Sequence, residues 1–184
     1  MRPQTFFPSF ITRTAEFVAA YVERGKNGRY RVTPTVSPEN WGCTVDFRLN
    51  RECIMDLALI DFLLEAVIKA SEILNSDEQE RITWRQIRFD LAAYPQESSS
   101  DGEVWIDVLN APAGWVYNVP VTLAPVFPGE RVDFDSRRTQ LELARRTART
   151  IHLEGGNDVV HQSLIQARLG MLDLEWFKQE SAIA

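Results

Sequence analysis

The sequence is poor in the residues that bind metals or form disulfides. It has two histidines and two cysteines among 184 residues. His152 and His161 lie nine positions apart, so neither an HxxxH nor an HExxH zinc motif is present. Cys43 and Cys53 could be free thiols or one disulfide, and the low cysteine count favours free thiols. We therefore expect no metal site.

Cofactor motifs, excess positive charge and membrane-spanning runs are also absent. Neither GxGxxG nor GxxxxGK followed by Ser or Thr occurs, so no cofactor is expected. Acidic residues outnumber basic residues 26 to 20, which gives a formal net charge of −6. This balance is the opposite of that in general nucleic-acid-binding or polybasic membrane-surface proteins. The longest apolar run, residues 54–64, contains Asp56 and Asp61 and does not span a bilayer. We expect neither nucleic acid nor membrane as a partner.

Apolar periodicity predicts an all-α protein with long irregular loops and a short strand. The expected helices are residues 8–24, 54–74, 77–91, 136–153, 157–169 and a final turn at 174–179. Residues 30–33 and 103–108 are expected to be extended. Residues 92–135 lack a helical period, and irregular connections of this length are usually functional. The linker-like residues 96–102 are too few to separate domains, so we interpret residues 1–184 as a single unit.

The expected second helix has an unusual distribution of polar residues. Asp61, Glu65, Lys69 and Glu72 follow one another at spacings of four, four and three, which places them on one narrow stripe. Nearly all its other residues are apolar, so well over half of its surface should be buried. Such a helix is typical of the interior of a larger helical assembly.

One cluster of basic residues falls on the expected fourth helix. It could bind phosphate or nucleic acid, or it could be a solvated helix face paired with nearby acidic residues such as Glu142. The acidic balance of the chain favours the second interpretation. The members of the cluster are Arg137, Arg138, Arg145, Arg146 and Arg149.

Five tryptophans are many for a chain of this length. Flat aromatic faces stack on the apolar faces of sugars, so tryptophans in loops suit carbohydrate binding. Trp41 and Trp115 fall in loops beside polar residues, where a sugar platform and a core position are equally compatible with the sequence. Trp84 and Trp176 fall on helical segments, which favours the core.

Glu39 is the candidate catalytic carboxylate. It follows Pro38, whose ring fixes the backbone, and precedes Gly42, which permits a turn. A carboxyl group held beside aromatic surface keeps its proton to higher pH, as a general acid must. On composition alone, the alternative is an exposed loop glutamate without a role.

Four segments resemble, in the same order, the catalytic domain of glycoside hydrolase family 95, the inverting α-L-fucosidase-type enzymes. The first is YRVTPTVSPEN at residues 30–40, which is similar to the SPEN loop of that family. The others are MD at 55–56 opening a helix that ends in ASEIL at 70–74, GEVW at 102–105, and VTLAPVFPG at 121–129. The resemblance spans roughly residues 8–153.

This resemblance implies both a fold and a chemistry. The family fold is an (α/α)6 barrel, or toroid, of which this chain would supply about half. The loop glutamate of the family is its general acid, which maps to Glu39, and an activated water attacks the opposite face of the sugar. The expected substrate is a fucoside or galactoside. Its expected binding residues are Asn40, Trp41, Trp115 and Tyr117.

The resemblance also implies that some of the machinery lies elsewhere. The water-positioning residues of the family lie upstream and downstream of the matched region, so we expect a barrel segment that is inactive alone or completed by a second half. Uncovered apolar helix faces predict self-association. A family histidine ahead of the Pro-Gly turn is replaced by Asn118 and Thr122. The alternatives are a non-catalytic sugar-binding module and a helical self-association module.

The N-terminal segment has no continuous apolar stretch, so no signal peptide is predicted. The family resemblance suggests a secreted or periplasmic location for a full-length form.

Overall fold

The computed structural model describes residues 6–114, 118–152 and 156–181, and about half of the chain is helical. The helices are α1 (Phe6–Tyr21), α2 (Ile54–Leu74), α3 (Glu78–Phe89), α4 (Arg138–Thr150), α5 (Gly156–Arg168) and α6 (Leu174–Ser181). The strands are β1 (Glu23–Arg24), β2 (Tyr30–Arg31), β3 (Gln96–Ser99) and β4 (Gly102–Trp105). The prediction of a mostly helical protein is confirmed, and the closure of its helices into part of a barrel stays a prediction.

Helix α2 begins and ends at the predicted residues and has neighbours on several sides, as its apolar surface requires. It contacts α1, α3 and a 3-10 turn at Val121–Leu123. Leu57, Leu64 and Val67 of α2 belong to one buried cluster with residues of α1 and α3, among them Trp84. Trp84 is 1% exposed, so its predicted core position is confirmed.

The polar stripe of α2 is a seam of ion pairs. Arg88 of α3 lies 2.7 Å from Asp61 and 3.2 Å from Glu65. Arg131, from the loop that precedes α4, pairs with the same two carboxylates. Lys69 pairs with Glu65 at 2.8 Å. The stripe therefore adds charged contacts between α2 and α3 to their apolar packing, and it joins Arg131 to α2.

Two antiparallel ribbons connect the helices. Strands β1 and β2 pair Glu23 with Arg31 directly after α1, which is why this helix ends at Tyr21 rather than at the predicted residue 24. Strands β3 and β4 pair Gln96 with Trp105 across a turn. The linker-like residues 96–102 thus form β3, the turn and the first residue of β4. The predicted strand at 103–108 ends earlier, at Trp105.

A second buried cluster lies under the hairpin. It joins Trp105 of β4, Leu123, Leu141 of α4 and Ile165 of α5. A hydrogen bond also joins β4 to α4: the backbone Trp105 N donates to the side-chain Thr147 Oγ1 over 3.0 Å. This cluster fixes the segment that follows β4.

The remaining sequence expectations can be placed on this fold. Cys43 is exposed and Cys53 is buried, and both are free thiols. In the basic cluster, Arg145 pairs with Glu142 at 2.9 Å and Arg146 donates to Glu103 O over 3.1 Å, so these two arginines make structural contacts. No helix in the described ranges has the length and apolar character needed to cross a membrane.

Candidate active site

Glu39 lies in the loop that connects β2 to α2, which we call the acid loop (residues 33–50). Its side chain is exposed, and its backbone is in the left-handed region with a φ of 64°. A glutamate seldom adopts this conformation without support from its surroundings. The contacts of the neighbouring residues provide that support.

Three side chains of the acid loop donate hydrogen bonds to one carboxylate oxygen, Oδ2 of Asp107. Ser37 Oγ and Asn40 Nδ2 donate over 2.6 Å each, and Trp41 Nε1 donates over 2.8 Å. Two of these donors immediately follow Glu39 and the third lies two residues before it. The loop is thus fixed on both sides of Glu39.

Asp107 itself is fully buried beyond the end of β4. Its other carboxylate oxygen is 3.8 Å from Cys53 Sγ, and its backbone oxygen accepts a hydrogen bond from Ile54 N over 2.8 Å at the start of α2. Burial raises the pKa of Asp107, and the hydrogen bonds from Ser37, Asn40, Trp41 and Cys53 oppose this rise. Burial likewise raises the pKa of the Cys53 thiol, to about 12.

Asn50 stabilises the opposite end of the acid loop. This buried amide donates to Thr35 O over 2.8 Å and to Gly42 O over 2.6 Å. Its Oδ1 accepts from the backbone and hydroxyl of Thr44 over 2.8 and 2.7 Å. One side chain therefore replaces the backbone pairing that a strand or helix would provide.

Asp56, in the first turn of α2, also contacts the acid loop. Thr35 Oγ1 donates to its carboxylate. Burial raises the pKa of Asp56, and the hydrogen bond from Thr35 opposes the rise.

A long-range contact reaches the carboxylate of Glu39 itself. Asn118 Nδ2 donates to Glu39 Oε2 over 2.7 Å. Asn118 is one of the two residues that stand where the resembling family has a histidine. The other, Thr122, is 2% exposed, and its hydroxyl has no hydrogen-bond partner among the described residues.

The predicted site residues have different environments. Glu39 is exposed, whereas Asn40 and Trp41 are half-buried and direct polar groups toward Asp107. Trp115 and Tyr117 lie outside the described residues. The sequence does not point to Asp107 or Asn50, because Asp107 falls in the predicted strand at 103–108 and Asn50 stands in no motif. The loop partners of Asp107 carry no periodic signal that connects them to a residue about 70 positions away.

The described residues include no group of three His, Cys, Asp or Glu side chains that could hold a metal ion. The chemistry available at the acid loop is that of a carboxyl group supported by neutral donors.

Residues 4–172 match the family model described as "Glycosyl hydrolase family 95 catalytic domain", which covers most of the chain. No curated protein matches this sequence.

Proposed function

Because this chain belongs to glycosyl hydrolase family 95, we propose that it supplies the general acid, Glu39, for the cleavage of a glycosidic bond. At family level, the chain is a glycoside hydrolase. The observation that carries the proposal is the exposure of Glu39 on a loop whose flanking residues are fixed by Asp107. An exposed carboxyl group can reach the oxygen of a bound sugar, and a fixed loop keeps it in place.

The proposed reaction is a single displacement. Glu39 transfers its proton to the glycosidic oxygen, and the bond between this oxygen and the anomeric carbon breaks. A water molecule attacks that carbon from the opposite face and loses a proton to a base, so the configuration inverts. In such enzymes the acid and the base lie about 6.5–9.5 Å apart, which leaves room for the water. We propose a fucoside or galactoside as substrate, and residues 1–184 as one catalytic-domain segment that contributes the acid side.

The decisive variant is Glu39→Gln, which keeps the shape of the side chain but cannot donate the acidic proton. In the presence of the segment that carries the base, release of free L-fucose or galactose from fucosyl and galactosyl oligosaccharides should fall by about 100-fold to 10,000-fold. Calorimetric binding of the free sugars should stay unchanged. Wild-type turnover in Glu39→Gln would overturn the assignment of Glu39 as the acid.

Glu130→Gln is a matched control for this variant. Glu130 is another exposed loop glutamate in the left-handed region, with a φ of 52°. It contacts Arg168 at 3.5 Å rather than any residue of the acid loop. Its substitution should leave sugar release at the wild-type rate. Sugar binding without turnover in the wild type, with the segment that carries the base present, would instead support a non-catalytic module.

A second candidate function is assembly through α1 and α2. Phe17 of α1 is 64% exposed, and Leu59 and Phe62 of α2 are each 39% exposed, although all three are apolar. An apolar face of this kind commonly contacts another protein surface, here a second copy or a complementing barrel half. Sedimentation equilibrium tests self-association through this face: a concentration-dependent oligomer should dissociate in Phe17→Ser, and a monomer at all concentrations would contradict pairing with a second copy.

A further inference from the structure

We infer that Asp107 is a positioning residue, whose buried carboxylate holds both sides of the acid loop and so keeps Glu39 directed at the substrate. The inference rests on the proposed function of Glu39 and adds a second residue to it. Asp107 acts through other side chains, since it does not contact the glutamate itself.

The first argument is the placement of the three donors. Ser37 precedes Glu39 by two residues, and Asn40 and Trp41 follow it directly, yet all three donate to the same oxygen of Asp107. With both sides held, only Pro38 and Glu39 lie between anchored residues, and the ring of Pro38 fixes its own φ. Asp107 therefore determines where the backbone of Glu39 lies.

The second argument is the left-handed backbone of Glu39, with a φ of 64°. Such a conformation persists in a residue with a long side chain only where the surroundings over-determine it. The hydrogen bonds to Asp107 contribute to this support on both sides of the residue. Without them, the loop would relax to a more favourable backbone and the carboxyl group would move.

The third argument concerns the free energy of burying the Asp107 carboxylate. The described neighbours of the Asp107 carboxylate are a hydroxyl, an amide, an indole and a thiol, with no cation among them. Burying a carboxylate without a cation opposes folding. A carboxylate oxygen, however, accepts several hydrogen bonds at once and binds them more strongly than a neutral acceptor. An aspartate at position 107 is therefore better explained by support of a functional loop than by a contribution to the stability of the fold.

The experiment compares Asp107→Ala and Asp107→Asn on the substrate that the wild type hydrolyses. Asp107→Ala removes the acceptor, and kcat should fall by about 100-fold, as expected for a catalytic group displaced by about 1 Å. KM should rise by a smaller factor than kcat falls, because Asn40 and Trp41, the expected sugar-binding residues of the loop, lose the same anchor but are only part of the binding site. Asp107→Asn keeps an oxygen in the same place and should recover most of the lost kcat.

Asp101→Ala is the control, because Asp101 is an exposed aspartate in the turn between β3 and β4. It should match the wild type in kcat and KM. Wild-type kcat in Asp107→Ala would overturn the inference. So would an equal loss of kcat in Asp107→Ala and Asp107→Asn.

A variant on the donor side covers the case in which Asp107→Ala does not fold. Ser37→Ala removes one of the three donors, and kcat should fall roughly tenfold, as for a lost hydrogen bond to a charged group. Ser71→Ala is its control, since Ser71 is also buried but donates within its own helix, to Ile68 O over 2.8 Å. Equal kcat in the two serine variants would contradict the inference.

A spectroscopic readout separates this inference from the proposed function. The indole N–H of Trp41 donates to Asp107, and its proton resonance, assigned with Trp41→Phe, should move upfield in Asp107→Asn because the acceptor loses its charge. Amide hydrogen exchange of residue 37 and residues 39–41 should accelerate in Asp107→Ala. If the wild type releases no sugar even with the segment that carries the base present, the proposed function fails, and these two signals still decide whether Asp107 holds the loop. Unchanged signals in both variants would overturn the inference.

Discussion

Asn118 Nδ2 donates a hydrogen bond to Oε2 of Glu39 over 2.7 Å, although the two residues lie 79 positions apart in the sequence. The contact joins the acid loop to the long irregular segment between the hairpin and α4. The buried Asp107 binds the residues on both sides of Glu39, whereas Asn118 contacts the exposed carboxyl group of Glu39. The two contacts act on different parts of the same residue, so their effects can be measured separately.

Removing the amide of Asn118 should impair turnover without unfolding the protein. The backbone φ of Asn118 is 62°, so Asn118→Gly deletes the side chain at a position where glycine is unstrained. Loss of a hydrogen bond to a carboxylate should lower kcat by roughly tenfold, with KM nearly unchanged. Steady-state kinetics on the hydrolysed sugar provide the measurement.

Asn75→Gly offers a matched comparison. Asn75 is exposed at the C-terminal end of α2 and has a φ of 51°, so the same substitution occurs in the same backbone region, away from Glu39. Its kcat should equal that of the wild type. If both glycine variants lose turnover alike, the contact between Asn118 and Glu39 has no catalytic importance.

Replacing Asn50 should destabilise the protein. Asn50→Ala leaves the carbonyl oxygens of Thr35 and Gly42 and the backbone N–H of Thr44 without their partner. Each buried polar group left unpaired costs about 1–3 kcal/mol. Because water reaches part of the loop, we expect the lower end of this range for each of the three groups. The free energy of unfolding should therefore fall by roughly 3 kcal/mol. Urea denaturation measures the change. Asn27→Ala, in an exposed turn, is the control and should stay within about 0.5 kcal/mol of the wild type.

Local patterns were sufficient to predict some of these features. Helix α2 has a continuous apolar surface and a polar stripe, which define it from residue 54 to residue 74 without any knowledge of its neighbours. Glu39 is a candidate acid because the surrounding SPEN segment resembles a known loop. The family match then confirms that resemblance over residues 4–172.

The support of the site was not predictable in this way. Asp107 meets Ser37 across 70 positions, and Asn118 meets Glu39 across 79. Such contacts depend on how the second core cluster places the segment after β4, and no local period encodes that placement. Strand β3 was missed for a different reason. Its polar residues 96–99 lack the alternation of a half-buried strand, and backbone pairing with β4 forms it regardless of side chains.

Gly129 should not tolerate a side chain. A Cβ at this position would lie 2.6 Å from Ala124 O and 2.7 Å from the Cβ of Ala58 in α2, and neither atom can move without shifting the backbone. Gly129→Ala should therefore lower the free energy of unfolding by about 1–3 kcal/mol, as for other overpacked cores. A thermal melt gives the result, and an unchanged melting temperature would show that the 124–129 turn packs less tightly on α2 than described.

The ion-pair seam on α2 should make stability depend on pH at the acidic end. Hydrogen bonds from Lys69 and Arg131 lower the pKa of Glu65 from 4.5 to about 2. As pH falls through this window, the unfolded chain takes up the proton before the folded protein does, so the stabilisation by ionised Glu65 is fully present above pH 4.5 and is lost toward pH 2.

The test of this dependence is urea denaturation at several pH values between 5 and about 2. The difference in free energy of unfolding between the wild type and Glu65→Gln should be largest at pH 5 and should shrink steadily as the pH falls, because glutamine cannot ionise. Glu72→Gln removes a carboxyl group from the same stripe, where Glu72 forms an exposed pair with Arg85. Exposed pairs contribute little, so this control should follow the wild-type curve. A constant difference between the wild type and Glu65→Gln at every pH would mean that Glu65 stabilises α2 through packing of its side chain rather than through its charge.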